Sequence, residues 1–373
     1  MQNIQEPYIG ENNYGDESRK QAQLTQDVSI VHKERLPYWD LLKLFLIFLV
    51  IWGHCIKGFS TSDYVESTIY RIIYSFHMPL FMMISGYFSV SSMNMGTASF
   101  LRKKFWNLIY PCLIWGAILW GFLECLCSFH YGNQQFSISG LLSDYYWLSD
   151  FWFLKSCFIC YVLGYIGLKS AKRRQYMLPI TLIASQFISP FFVSFMYPCF
   201  VLGIVLHKRP SYFNMIRRNS LTFSVLFLLM IILWDKQMWV KSHGIPSGIL
   251  DAGIDTWLEI LCARIFRLFI GIVGSMATIG LFSSLFRLNT KSIIVQTCCD
   301  WGRYTLYIYI LQAVLLEHGL SHLICLDNIG TTMYELIITP MISVFLLFIF
   351  TFIAKRISSS LVLERLLWGK HHK

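Results

Sequence analysis

The sequence predicts an all-α polytopic membrane protein, with about ten transmembrane helices and both termini in the cytoplasm. Three observations carry that prediction. The 373 residues are 55% hydrophobic and only 14% charged, whereas a soluble domain holds about a quarter charged residues. Apolar stretches of roughly 20 residues recur along the whole length, enough to cross a bilayer. Most of the 31 lysines and arginines gather in alternate loops and the two tails, as cytoplasmic segments require. The net charge of +10 is thereby read as orientation and not as a nucleic-acid surface.

The elements follow in order. Residues 1–35 are polar and mixed, with no apolar signal-peptide core, so a disordered cytoplasmic tail is expected. Spans are expected at 38–57, 69–90, 106–127, 151–168, 176–189, 191–207, 220–235, 263–285, 304–321 and 336–354. The fifth and sixth are short and parted only by "SPFF", which suits a tilted hairpin or a re-entrant pair. The loops holding Lys103, Arg173, Arg217 and Arg287 are expected inside, together with a basic tail over 357–373. Residues 36–356 thus make one ten-span domain. The opposite loops carry Asp63, Glu66, Asp144, Asp251, Glu259 and Asp327, and include two longer segments at 128–150 and 236–262. That face is acidic and roomy enough to shape a site. The eleven cysteines sit mostly inside apolar runs such as "CFICY" and read as small buried hydrophobes. No metal-ligand spacing is present, so neither a zinc framework nor a bound metal is expected.

The first span poses a chemical question. "KLFLIFLVIWGH" covers residues 43 to 54, apolar between a lysine and a histidine. Eleven positions place Lys43 and His54 within about 20° of one helix face and roughly 16 Å apart along the axis. Asp40 falls near the same stripe. Ionisable groups in a span face the bundle interior and mark a functional path. For Asp40 and Lys43 the competing reading is snorkelling to the inner interface, and for His54 a satisfied structural histidine. The next span, "YSFHMPLFMMISGYF" (74–88), adds His77 and Pro79. Two histidines on adjacent spans are expected to converge on one cavity. Arg71, Arg264 and Arg267 lie near the outer boundary, either as contacts to an anionic or polyhydroxylated ligand or as helix-end anchors.

"YWDLLKLFLIFLVIWGHC" followed by "FHMPLFMMISGYF" resembles the start of the membrane acyltransferase 3 family. The pattern there is a basic residue, ten residues, then histidine; arginine is commoner than the lysine found here. "KKFWNLIYPCLIWG", "DFWFLKSCF", "YPCFVLGIVL" and "WGRYTLYIYILQ" continue the likeness in order, across residues 36–356. Gln312 stands where many members have histidine, so no essential base is expected there.

The resemblance implies a ten-span bacterial inner-membrane (plasma membrane) enzyme that O-acylates cell-surface or lipid-linked glycans. Acyl-CoA, most often acetyl-CoA, would be the co-substrate, with no permanently bound cofactor. In that reading His54 is the base and His77 assists it. Lys43, with Asp40, holds the donor; Arg71, Lys155, Arg264 and Arg267 meet the glycan. The partners are then membrane lipid, the glycan and acyl-CoA, with no nucleic acid. A glycan exporter without covalent chemistry, or a receptor, would share the polar path. Neither needs an imidazole at its outer end.

Overall fold

In the computed structural model, residues 37–60, 63–131, 151–169, 174–188, 190–243, 254–288, 292–326 and 330–369 are described, and every element among them is helical. The N-terminal tail, and the loops around Asp144, Arg173, Asp251 and Asp327, lie outside these residues.

Helix α1 (Pro37–Gly58) is the central rod. Leu42, Leu46, Ile47 and Ile51 on it are wholly buried. Its 22 residues reach about 33 Å, close to the roughly 30 Å hydrocarbon layer. Helix α2 (Thr68–Ser89) starts on a Ser67 cap, whose hydroxyl accepts from the Tyr70 N–H. Pro79 lies inside it, so the Ser75 carbonyl loses its usual helical donor. A short amphipathic α3 (Thr97–Lys104) runs through a π turn at Phe105–Ile109 into α4 (Tyr110–Tyr131). Helix α5 (Trp152–Lys169) follows.

The predicted short pair is a tight hairpin. Helices α6 (Arg174–Gln186) and α7 (Val193–Lys208) have 13 and 16 residues. They are joined through Phe191 and Phe192, both left-handed at φ 58° and 56°. That conformation costs roughly 1–2 kcal/mol per ordinary residue. Packing holds it: Phe192 lies edge-on to Trp152 at 5.2 Å, and the Lys155 ammonium sits 5.1 Å from the Phe191 ring. Helix α7 then docks on α2 with backbones in contact. A Cβ on Gly86 would fall 1.9 Å from the Phe200 carbonyl oxygen, and one on Gly203 1.9 Å from that of Met83. Small residues permit this approach, which drives helix association where lipid removes the hydrophobic term.

Helix α8 (Pro210–Arg218) meets α9 (Ser220–Ile232) at 71°. Helix α10 (Lys236–His243) and the long α11 (Ile254–Leu288) come next. Much of the segment read as an outer loop at 236–262 is therefore helical. After α12 (Ile293–Trp301) and α13 (Thr305–Gln312), a π turn runs over Ala313–Glu317. A third π turn, Tyr334–Ile338, leads into α14 (Thr339–Ser359). Residues 361–368, in the segment read as a basic tail, form α15 (Leu361–Trp368). Trp368 stacks on Tyr307 at 4.3 Å, the Tyr307 hydroxyl donates to Glu364 at 2.5 Å, and that of Tyr110 donates to the Leu366 carbonyl.

Each of the ten apolar segments thus coincides with helix. Four helical stretches among the described residues are long and apolar enough to cross a membrane, five if the bent α8–α9 pair counts as one. Leu221 and Ile232 on α9, and Val344, Phe345 and Phe348 on α14, stay exposed. Such apolar outer faces suit contact with lipid.

Candidate active site

The end of α1 is clamped from three directions, which fixes His54. The Tyr334 hydroxyl donates to the Cys55 and Ile56 carbonyls at 2.9 and 3.0 Å. The Trp52 indole donates to Thr339 Oγ1 at 3.0 Å. The Leu326 N–H donates to the Phe59 carbonyl at 2.7 Å. In this setting His54 Nδ1 faces the Glu317 carboxylate. Glu317 closes the π turn after α13, and such wide turns often mark functional positions. A carboxylate on Nδ1 fixes the tautomer and leaves the Nε2 lone pair free. Nε2 points to the Tyr74 hydroxyl at 3.4 Å, a long and weak contact.

His77 does not meet His54 directly. Tyr74 lies between them, its ring edge-on to both, with centroids 6.2 Å from His54 and 4.7 Å from His77. His77 is buried, and its Nδ1 donates to the Ile73 carbonyl at 2.6 Å. Convergence of the two histidines on one cavity is thus replaced by a His54–Tyr74–His77 file.

Two cavities lie along the helices that carry this file, and Tyr74 lines the larger of them. One, of about 480 Å³, opens at the His54 end and is lined by Tyr64, Tyr70, Tyr74, Trp152, Trp239 and Arg267 among others. The other, of about 270 Å³, is lined by Lys43, Ser85, Cys157, Tyr161, Arg303 and Tyr309 among others. Met78 borders both. In the smaller cavity Lys43 Nζ lies 2.5 Å from Asp40, both side chains mostly shielded. Gly302, in the "WGRYTL" motif, lets the start of α13 touch α1 there: a Cβ would fall 1.9 Å from the Asp40 carbonyl oxygen.

The remaining basic residues separate by position. Arg71 is spent on its own loop, donating to the Val65 and Glu66 carbonyls at 2.6 and 2.9 Å and to Thr68. It therefore locks the 65–68 turn and lines neither cavity. Arg264 is exposed. Arg267, nearly a full turn on, is 9% exposed and points among aromatic rings. Lys155 stacks on the hairpin turn, and Gln312 is buried. At the same end Lys236 pairs with Asp63 at 2.9 Å and Glu66 at 2.5 Å, and Lys241 with Glu259 at 2.9 Å. Among the described residues no cluster of ligating side chains would hold a metal.

A helical membrane protein with a half-buried carboxylate–imidazole pair near a cavity that holds a buried cation is equipped for proton transfer to or from a bound reactant. The chain belongs to the acyltransferase domain family, whose model matches residues 36–356, and it is an acyltransferase. It is 24% identical over 301 residues to the nodulation protein NolL of Mesorhizobium japonicum, covering 74% of this chain and 75% of that one. It is 37% identical over 87 residues to NolL of Sinorhizobium fredii, covering 22% and 23% of the two chains. No solved structure matches.

Proposed function

We propose that this acyltransferase moves an acyl group, acetyl being expected, from acyl-CoA to a hydroxyl of a cell-surface or lipid-linked glycan at a bacterial inner membrane. In this reading the chain makes ten spans with both termini inside, and the Lys43 cavity opens toward the cytoplasm. The observation that carries it is His54, held through Nδ1 by Glu317 and pointing Nε2 at Tyr74, which lines the larger cavity.

The acyl thioester enters the smaller cavity, where Lys43 and Arg303 meet its charged end. The acceptor sugar enters the larger one. His54 Nε2 takes the proton of the acceptor hydroxyl, in the place of the Tyr74 contact or through it. The freed oxygen attacks the thioester carbonyl, forming a C–O bond. The tetrahedral intermediate then breaks its C–S bond, and the leaving thiolate recovers the proton from His54. Glu317 stabilises the imidazolium that forms between the two transfers. A positioned base contributes about 10²–10⁴ in rate.

His54→Gln should insert normally and leave the glycan present but unacylated. The measurement is acyl content per glycan repeat beside total surface glycan. Unchanged acylation would remove His54 from the mechanism. Loss of the glycan itself, with no acyl group in the wild type, would show export in place of transfer.

A further inference from the structure

Arg267 is a buried cation at the His54 end with no carboxylate partner among the described residues. Its side chain is more than nine-tenths buried and lines the 480 Å³ cavity. The guanidinium lies 4.6 Å from the Phe195 ring centre, 5.5 Å from that of Phe192 and 5.8 Å from that of Trp239. Ring faces attract a cation but do not fill a guanidinium's five N–H donors, and Nε–H has no hydrogen-bond partner. Among the described residues at this end, Asp63 and Glu66 pair with Lys236, Glu259 with Lys241 and Glu317 with His54. A buried charge without a counter-charge is costly. An anionic ligand would supply one, and the cavity is within the size range of small-molecule sites. Its other walls are aromatic. Tyr70, Trp152 and Trp239 offer electron-rich faces on which the C–H face of a sugar ring packs.

We propose that this cavity selects an acceptor sugar bearing an anionic group, a carboxylate or a phosphate, which pairs with Arg267 while the sugar ring lies on the aromatic wall. This rests on the assignment of the larger cavity to the acceptor. The arginine then sets which sugar of a glycan is acylated. The anion is held on α11 and one hydroxyl of the same ring is presented to the His54–Tyr74 pair.

The test uses the full-length protein in nanodiscs, with glucose, glucuronate, glucose 1-phosphate and inorganic phosphate as probes. Binding is read from the fluorescence of the tryptophans at the cavity. Release of free thiol from acetyl-CoA is followed in parallel. Glucuronate, glucose 1-phosphate or both should bind at least about tenfold tighter than glucose, and the stronger of the two identifies the anion. Arg267→Gln should bring them to the level of glucose, and Arg267→Lys should keep part of the preference. His54→Gln should keep the preference while losing thiol release. Glucose binding as tightly as the anionic sugars in the wild type would overturn the proposal. So would a preference that survives Arg267→Gln, or inorganic phosphate binding as tightly as glucose 1-phosphate. Thiol release that survives His54→Gln, with the anion preference intact, would sink the base assignment and leave this inference standing. Absence of the preference with His54-dependent thiol release would sink this inference alone.

Discussion

The two cavities that meet at Met78 treat a buried cation in opposite ways. In the smaller, Lys43 keeps a carboxylate of its own, Asp40, one helical turn away on the same helix. In the larger, Arg267 has aromatic faces and no acid among the described residues. A lysine on a flexible stem, already paired, can swing to an incoming anion and return. An arginine wedged between rings is fixed in place and keeps its N–H edges open. The difference suits two ligands of unlike kind, one entering and leaving by its charged end, the other held in a set orientation for reaction.

The largest expected effect falls on the His54–Glu317 pair. Glu317→Gln should leave the fold intact and cut acyl transfer by between about tenfold and the roughly 10⁴-fold seen when a triad's orienting carboxylate becomes an amide. Thiol release from acetyl-CoA measures it. Wild-type rates would show that the His54 pair is structural and that the cavities need no chemical link. Next comes the paired lysine. Lys43→Ala should lose most of the activity and Lys43→Arg should keep much of it, the loss appearing mainly in KM for the donor. Equal rates for the two variants, at equal protein level, would return Lys43 to a snorkelling role and end the contrast with Arg267.

A smaller effect is expected at the partition. Met78→Ala removes a flexible side chain shared by both cavities. Acetyl-CoA hydrolysis without acceptor should rise about two- to tenfold as water reaches the donor side, with acceptor acylation little changed. No rise would mean that other side chains separate the two spaces. The smallest effect concerns the ion pairs on the surface. The hydrogen bond and charge of Lys236 lower the Asp63 carboxyl from 3.8. For a depressed acid the added stability is present above the unfolded value and is lost as pH falls through the folded one. Tethering of α10 to the 63–67 turn should therefore weaken progressively as pH falls below about 5, as amide exchange over 236–243 would show. Both side chains are exposed, so the same exchange should quicken in high salt. Loosening already at neutral pH and low salt would argue that the turn is held by Arg71 alone.

Much of the architecture was legible in the sequence, because lipid makes each helix declare itself as an apolar run. All ten runs coincide with helix and the short fifth and sixth form a hairpin; Lys43 lines the smaller cavity, and His54 lines neither but points at Tyr74 on the wall of the larger. The partners were harder to see. Glu317 lies far along the chain from His54, though a carboxylate inside "LQAVLLEHG" was a signal of its own, since spans seldom carry one. Tyr74 carries no sequence signal that sets it apart among the chain's 20 tyrosines. Arg71 was misleading because spacing cannot show that a side chain is consumed by neighbouring carbonyls. Arg264 and Arg267 differ by three positions, and only tertiary packing decides which of them turns inward.

The left-handed turn at Phe191 and Phe192 bears on how the chain enters the membrane in the first place. Helices of 13 and 16 residues reach about 20 and 24 Å, each short of the layer it would have to cross. A nascent α6 emerging by itself has little reason to stay in the bilayer. The turn makes the two short helices one insertion unit, delivered only once α7 has been synthesised. By then α2 has already been made, and its Met83–Tyr87 backbone is the surface against which Gly203 of α7 seats. A ribosome-stalled chain ending near residue 190 should leave α6 accessible to an impermeant label, and one ending well past 208 should protect it. Late capture of a hairpin by an earlier helix is thus written into the order of synthesis.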